Sequence, residues 1–220
     1  LGPVGKGEAF RDVGDATANF LLGATEDIVP RDVVGLANCN NCHVRLQAHG
    51  GFRRNLTICL MCHTAGAEDR NNGGATPGAS VDFRIMIHKI HNGRNLPSVL
   101  GMTTNPDGSR DYDAEPVPYE LVGFGGNVHD FSEVGLPVWP SLTEPTLRDE
   151  GYSSLTPTEQ DQDEAQRLGA VACAKCHGDP DGDGPAEPPA NGDLAYIQLS
   201  RGTCGSCHDD IVWEYPYTAN

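Results

Sequence analysis

The chain has 220 residues, with 31 Asp and Glu against 15 Lys and Arg, and a formal charge of −16 at neutral pH. That charge argues against nucleic acid and anionic membrane surfaces as partners, and no stretch approaches the roughly 20 apolar residues of a membrane span. Hydrophobic residues make up only 38% and aromatics 6%, beside 27 glycines and 16 prolines, so the side chains fall short of filling the core that a chain this long should bury.

The chain opens at Leu1 with no visible signal peptide, as a mature product does. Its first distinctive stretch is CNNCHVRLQAHGG at 39–51, followed by CLMCH at 59–63, CAKCH at 173–177 and CGSCH at 204–208. All eight cysteines thus fall in four Cys-x-x-Cys pairs, each with histidine directly after it. This is the c-type haem attachment signature. Two thiols one helical turn apart add to the vinyl groups of one haem, and the adjacent imidazole reaches the iron. Cys39 and Cys42, Cys59 and Cys62, Cys173 and Cys176, and Cys204 and Cys207 are the expected attachment pairs, with His43, His63, His177 and His208 as proximal ligands.

Zinc is the main rival. The 16 residues between Cys42 and Cys59 suit a paired Cys-x-x-Cys zinc site. The 27 residues between Cys176 and Cys204 do not, and a disulfide framework does not place histidine after every pair. Four haems c would also supply the apolar bulk that the side chains lack. Haem of this kind is attached outside the cytoplasm, so the protein is expected to be exported.

Four further histidines remain: His49, His88, His91 and His129. Four irons need four distal ligands, and the counts match. Met61, Met86 and Met102 are the alternative ligand type. With every iron bis-histidine, no coordination position is open for a substrate, which favours electron transfer over catalysis.

VDFRIMIHKIHNG at 81–93 predicts a helix starting at Asp82 and stopping at Gly93. His88 and His91, three apart, share one face of it. They cannot both serve one iron, because axial ligands approach from opposite sides. If the turn at His43 continued as helix, His49 would lie about 9 Å further along the axis. That directs His49 to another haem, and nearness in sequence points to that of the second motif. Residues 130–220 hold two attachment motifs and no spare histidine. The halves 1–140 and 141–220 are therefore expected to form one tetrahaem domain rather than two independent ones.

The stretches CNNCHVRLQAHGG, CLMCHTAG, VDFRIMIHKIHNG, GFGGNVHDFSEV and SRGTCGSCHDDI together resemble the outer-membrane multihaem cytochromes of the OmcA/MtrC type. The resemblance implies a mostly irregular, loop-rich fold with few short α-helices, built around stacked haems as core. It implies His49, His88, His91 and His129 as distal ligands. It also implies electron transfer at the cell surface or outside the cell, with the periplasm as the alternative. There are departures: the family's domain carries five haems against four motifs here. In the family a motif follows soon after HDFSEV, whereas here Cys173 comes 39 positions after Val134 (134 to 173). That stretch is expected to be an insertion or a helix–loop excursion. Family members often carry a lipid anchor on an N-terminal cysteine, absent here, so a freely secreted protein is expected.

Four haems on about 220 residues also resemble the OmcE-type tetrahaem nanowire cytochromes. That implies self-association into a filament with iron ligands shared between subunits, His49 and His129 being the freer candidates. Other multihaem cytochromes and extracellular electron acceptors are the expected partners. The alternatives are a discrete carrier or terminal metal reductase, and a haem enzyme such as a nitrite reductase, which needs a five-coordinate iron.

Three smaller signals complete the reading. DPDGDG at 179–184 begins like a calcium loop, with Asp179, Asp181 and Asp183 as candidate Ca²⁺ ligands, but Ala190 stands where an EF-hand has Glu. NPDGSRDYD at 105–113 is a similar acidic turn. The apolar IVWEYPY near the C-terminus places Trp213, Tyr215 and Tyr217 close to the last motif.

Overall fold

The computed structural model describes residues 16–23, 25, 26, 28, 30–75, 78–136, 151–170, 173–179 and 186–211. Its helices are α1 (Leu36–Asn40), α2 (Leu56–Cys62), α3 (Phe83–Asn92), α4 (Pro97–Leu100), α5 (Pro157–Ala170), α6 (Cys173–His177), α7 (Leu194–Ile197) and α8 (Arg201–Cys204). Two antiparallel hairpins supply the sheet: β1 (Thr103–Thr104) with β2 (Arg110–Asp111), and β3 (Glu120–Val122) with β4 (Val128–Asp130). The loop-rich character expected from the glycine and proline content is what the chain shows. Among the described residues no helix is long and apolar enough to cross a membrane.

The chain forms two units, and each draws on both halves of the sequence. One takes Leu1–Thr64 and Ala174–Ile197, the other Ala65–Cys173 and Gln198–Asn220.

The first unit is tied together by polar contacts. Asn38, buried just ahead of Cys39, donates from Nδ2 to the carbonyls of Cys176 (3.0 Å) and Glu187 (2.9 Å). The Asn191 amide donates to the Asp32 carbonyl at 2.8 Å, and the Asp32 amide donates back to Asn191 Oδ1 at 3.0 Å. Helix α2 starts where Asn55 Oδ1 accepts from the Thr57 amide at 2.9 Å, a side-chain N-cap.

The second unit holds the apolar core. Leu96, Tyr119 and Leu121 are buried, with Val81, Met86, Ile90 and Phe131 among the residues packed on them. Helix α3 begins and ends where the sequence predicts. Asp82 caps it by accepting from the Arg84 amide at 3.0 Å, and Gly93 follows its last residue. Gly93 keeps right-handed angles (φ −42°, ψ −60°), so glycine is required there for space. A Cβ at Gly93 would overlap the carbonyl oxygen of Phe131. Buried Asp69 accepts from the amides of Ala79 (2.8 Å) and Val122 (2.9 Å) and so joins separate loops to β3.

The long stretch before the third motif contains α5. Its start is a capping box: the Thr156 amide donates to Glu159 Oε2 at 2.6 Å, the Glu159 amide donates to Thr156 Oγ1 at 3.4 Å, and Pro157 opens the helix.

Candidate haem attachment sites

The four motifs share one local geometry. In the first, second and fourth, the histidine amide donates to the carbonyl of the first cysteine: His43 to Cys39 and His63 to Cys59 at 2.9 Å, His208 to Cys204 at 2.8 Å. The third motif is the whole of α6. One helical turn therefore puts each pair of thiols, three residues apart, on one side with the imidazole directly after them.

No disulfide joins the cysteines. Among the described residues no three His, Cys, Asp or Glu side chains converge on a metal position, and Cys39, Cys42, Cys59 and Cys62 are all described. Burial raises the pKa of the Cys39 and Cys173 thiols and pushes that of Cys207 up to about 11.

The surroundings fit haem. Val44, Leu60 and Met61 lie in or beside the first two motifs, yet Val44 is fully exposed and Met61 is 69% exposed. An open cleft of ≈ 380 Å³ is lined by His43, Val44, Arg45, Gln47, Gly50 and Gly51. Apolar side chains left bare around a thiol pair are the surface that a flat apolar macrocycle covers. In place, haem c supplies a one-electron iron couple. The chain's own part is to attach it, hold its axial ligands and limit the access of water.

Two imidazoles are oriented as ligation through Nε2 would need. His177 Nδ1 lies 2.9 Å from the Val33 carbonyl oxygen, and His91 Nδ1 lies 2.8 Å from that of Ile87. A carbonyl only accepts, so each Nδ1 carries the proton and the lone pair is on Nε2. At His208 the contact is of the opposite kind, since Nδ1 lies 3.1 Å from Gln166 Nε2, which only donates.

His49 and His63 come together, with ring centroids 5.9 Å apart and planes inclined by 22°. An imidazole nitrogen sits about 2 Å from a bound transition metal, so two rings on opposite sides of one ion have centroids on the order of 6 Å apart. His49 reaches this place by a route other than the expected one. The helix does not continue past the first motif: α1 ends at Asn40, and His49 itself has φ 51°, followed by Gly50 at 73° and Gly51 at 88°. Three successive left-handed residues reverse the chain.

His88 and His91 both lie on α3, three apart as predicted. His129 lies on exposed β4 opposite Leu121, and its ring rests over Gly123, where a Cβ would be 2.9 Å from Nε2. The methionines are placed otherwise. Met102 is 2% exposed, Met86 packs on the apolar core, and Met61 points to solvent.

Of the calcium candidates, Asp181 and Asp183 lie outside the described residues, as do Trp213, Tyr215 and Tyr217. The 105–113 turn is a hairpin whose acids serve the backbone. Asp107 accepts from the Ser109 amide at 2.9 Å and from its hydroxyl at 2.6 Å, and Asp111 accepts from the Asp113 amide.

The sequence reading missed the residues that anchor the motifs. Asp209, next after His208, accepts from Lys89 Nζ (2.8 Å), the Ser98 amide (3.0 Å) and the Ser98 hydroxyl (2.7 Å). Buried Asp210 accepts from Thr104 and pairs with Arg110 at 3.4 Å. The pair of acids after CGSCH was the available signal.

Paired thiols, each with an adjacent imidazole on one helical turn, define a multihaem c-type cytochrome. Residues 31–218 match the family described as outer membrane cytochrome MtrC/MtrF-like, domains II/IV, and the chain belongs to that family. It is 31% identical over 71 residues to the multihaem cytochrome MtrC of Shewanella baltica (strain OS185), a match covering 31% of this chain and 10% of that protein. It superposes on the crystal structure of the outer membrane decahaem cytochrome OmcA with a TM-score of 0.52 and 29% identity, over 84% of this chain and 20% of that one. The chain thus spans a small part of either relative's length.

Proposed function

We propose that the chain carries four covalently attached, bis-histidine haems c and relays electrons through them. The observation that carries this reading is the repeated one-turn geometry of the four motifs, in a chain that holds four further histidines. The spacing of His49 and His63 supports their pairing on the second haem, and the Nδ1 bonds of His91 and His177 support ligation through Nε2. With both axial positions of every iron taken, the protein passes electrons on and binds no substrate at iron.

The matched MtrC and OmcA are outer-membrane or multihaem cytochromes by description. This supports a place at the cell surface or outside the cell, with other multihaem cytochromes and extracellular acceptors as partners. Self-association into a filament rests on the four-motif count in a short stretch of chain, and a discrete carrier that reduces metals is the competing form. Redox titration with haem quantification tests the relay: four haems per chain and only low-spin iron are expected. Electron microscopy of the same sample separates filaments from single particles.

A further inference from the structure

We propose that the ion pair between Lys89 and Asp209 is a positioning device for the fourth haem: Asp209 anchors the chain that leaves the fourth motif, Lys89 offsets its charge, and the balance of the two sets that haem's potential. The inference rests on the reading of the fourth motif as a haem site.

Lys89 Nζ donates to Asp209 Oδ2 at 2.8 Å, across 120 positions of sequence. The same carboxylate accepts from the Ser98 amide at 3.0 Å and from the Ser98 hydroxyl at 2.7 Å. An ammonium only donates and a carboxylate only accepts, so the sense of the bond is fixed by the residue types. Lys89 directly follows His88, and Asp209 directly follows His208. The pair therefore joins the chain beside two expected axial ligands.

The surroundings hold the pair in place. Helix α3 packs on α8, which carries Cys204, and a Cβ added at Gly202 would lie 3.4 Å from Ile85 Cδ1. Ile85 and Lys89 are one turn apart on α3, so the apolar contact and the ion pair fall on the same face. Lys89 Nζ also stands 5.1 Å from the centroid of the Tyr119 ring, a cation–π distance. Burial first, and then the charges of Asp69 and Asp209, raise the pKa of the Tyr119 hydroxyl, so the ring stays neutral beneath the ammonium. The next acid, Asp210, is held by Arg110 instead.

The side chains of Lys89 and Asp209 are only 20% and 10% exposed, so water screens their charges weakly. A ferric haem carries one positive charge more than a ferrous one. A nearby anion thus favours the ferric state and lowers the potential, and a nearby cation raises it. Together the two charges offset each other, and removing either one leaves the other uncompensated.

The test uses the full-length holoprotein with Asp209→Asn, Lys89→Gln and the double variant, read by spectroelectrochemical titration and electron paramagnetic resonance. Asp209→Asn is expected to raise the midpoint potential of one haem, and Lys89→Gln to lower that of the same haem. The double variant should fall between the two, with the other haems unmoved throughout. A purely structural tie would shift both single variants in one direction or disturb several haems together. Either result overturns the proposal, as does no shift in either single variant, a double variant outside their range, or a haem lost from a single variant and not regained in the double. His208→Met is measured alongside to mark the fourth haem. If it leaves every haem bis-histidine, the reading of the fourth motif itself fails. If it changes one haem while the pair variants shift another or none, that reading stands and the role of the pair falls.

Discussion

The imidazole of His49 lies 5.9 Å from that of His63, with the two planes inclined by only 22°. A left-handed His49 followed by two left-handed glycines brings this about. Such a backbone at a non-glycine residue costs on the order of 1 kcal/mol, and it persists where a functional contact requires it. Replacing His49 with Ala should therefore leave four haems attached but open one axial position. One low-spin signal in electron paramagnetic resonance is expected to convert to high spin, with the others intact. Retention of every low-spin signal would remove His49 from the ligand set.

Asn38 ties the helix of the first motif to the chain around the third. Its amide satisfies two carbonyls, those of Cys176 and Glu187, from a buried position. Asn38→Ala leaves both without that donor and should cost about 2 kcal/mol. Urea unfolding of the holoprotein measures it, and a loss under about 0.5 kcal/mol, the range of ordinary surface changes, would mean the tie is not structural.

Asp82 caps the helix that carries His88 and His91. Burial alone raises its carboxyl pKa, but the hydrogen bonds and charge of Arg84 outweigh this and hold it below the usual carboxylate value. Folding therefore favours the ionised form. The cap's contribution is fully present above the unfolded value of about pH 4 and is lost as pH falls through the lower folded value. Asp82→Ala should cost about 1 kcal/mol at neutral pH. Thermal melts of the two proteins should converge as the solution is acidified below that point.

Gly93 is required by its neighbour. The Phe131 carbonyl oxygen occupies the place where a Cβ would stand. Gly93→Ala must push the 131–136 segment off the end of α3, where the Arg94 amide donates to Val134 and the Leu136 amide to the His91 carbonyl. A loss of about 1–3 kcal/mol is expected, of the size seen when a packed site is overfilled. An unchanged melting temperature would show that the contact gives way freely.

The local features were legible in the sequence because they depend on close neighbours. The attachment motifs, the Asp82 start and Gly93 stop of α3, and the glycine-assisted reversal after His49 are all written within a dozen residues. The class of fold followed from composition, since so little apolar side chain cannot build a conventional core. The tertiary ties were not legible. Gln166 meets His208, Arg110 meets Asp163 and Asp210, and Asn38 meets Cys176 across long stretches of chain. Polar residues on a loop or a short helix carry no periodic signal that names a distant partner. The end of α1 at Asn40 was not legible either, since nothing in CNNCHVRLQA says where the turn at the motif stops. The interleaving of the two units had no signature in composition at all.

The central claim is that each attachment motif holds a haem whose iron has two histidine ligands. Low-temperature electron paramagnetic resonance on the oxidised holoprotein, with haem counted per chain by the pyridine haemochrome method, tests it most directly. The account predicts four haems c per chain and ferric signals that are entirely low-spin. A stoichiometric high-spin signal, or fewer than four haems on a fully loaded chain, would contradict it.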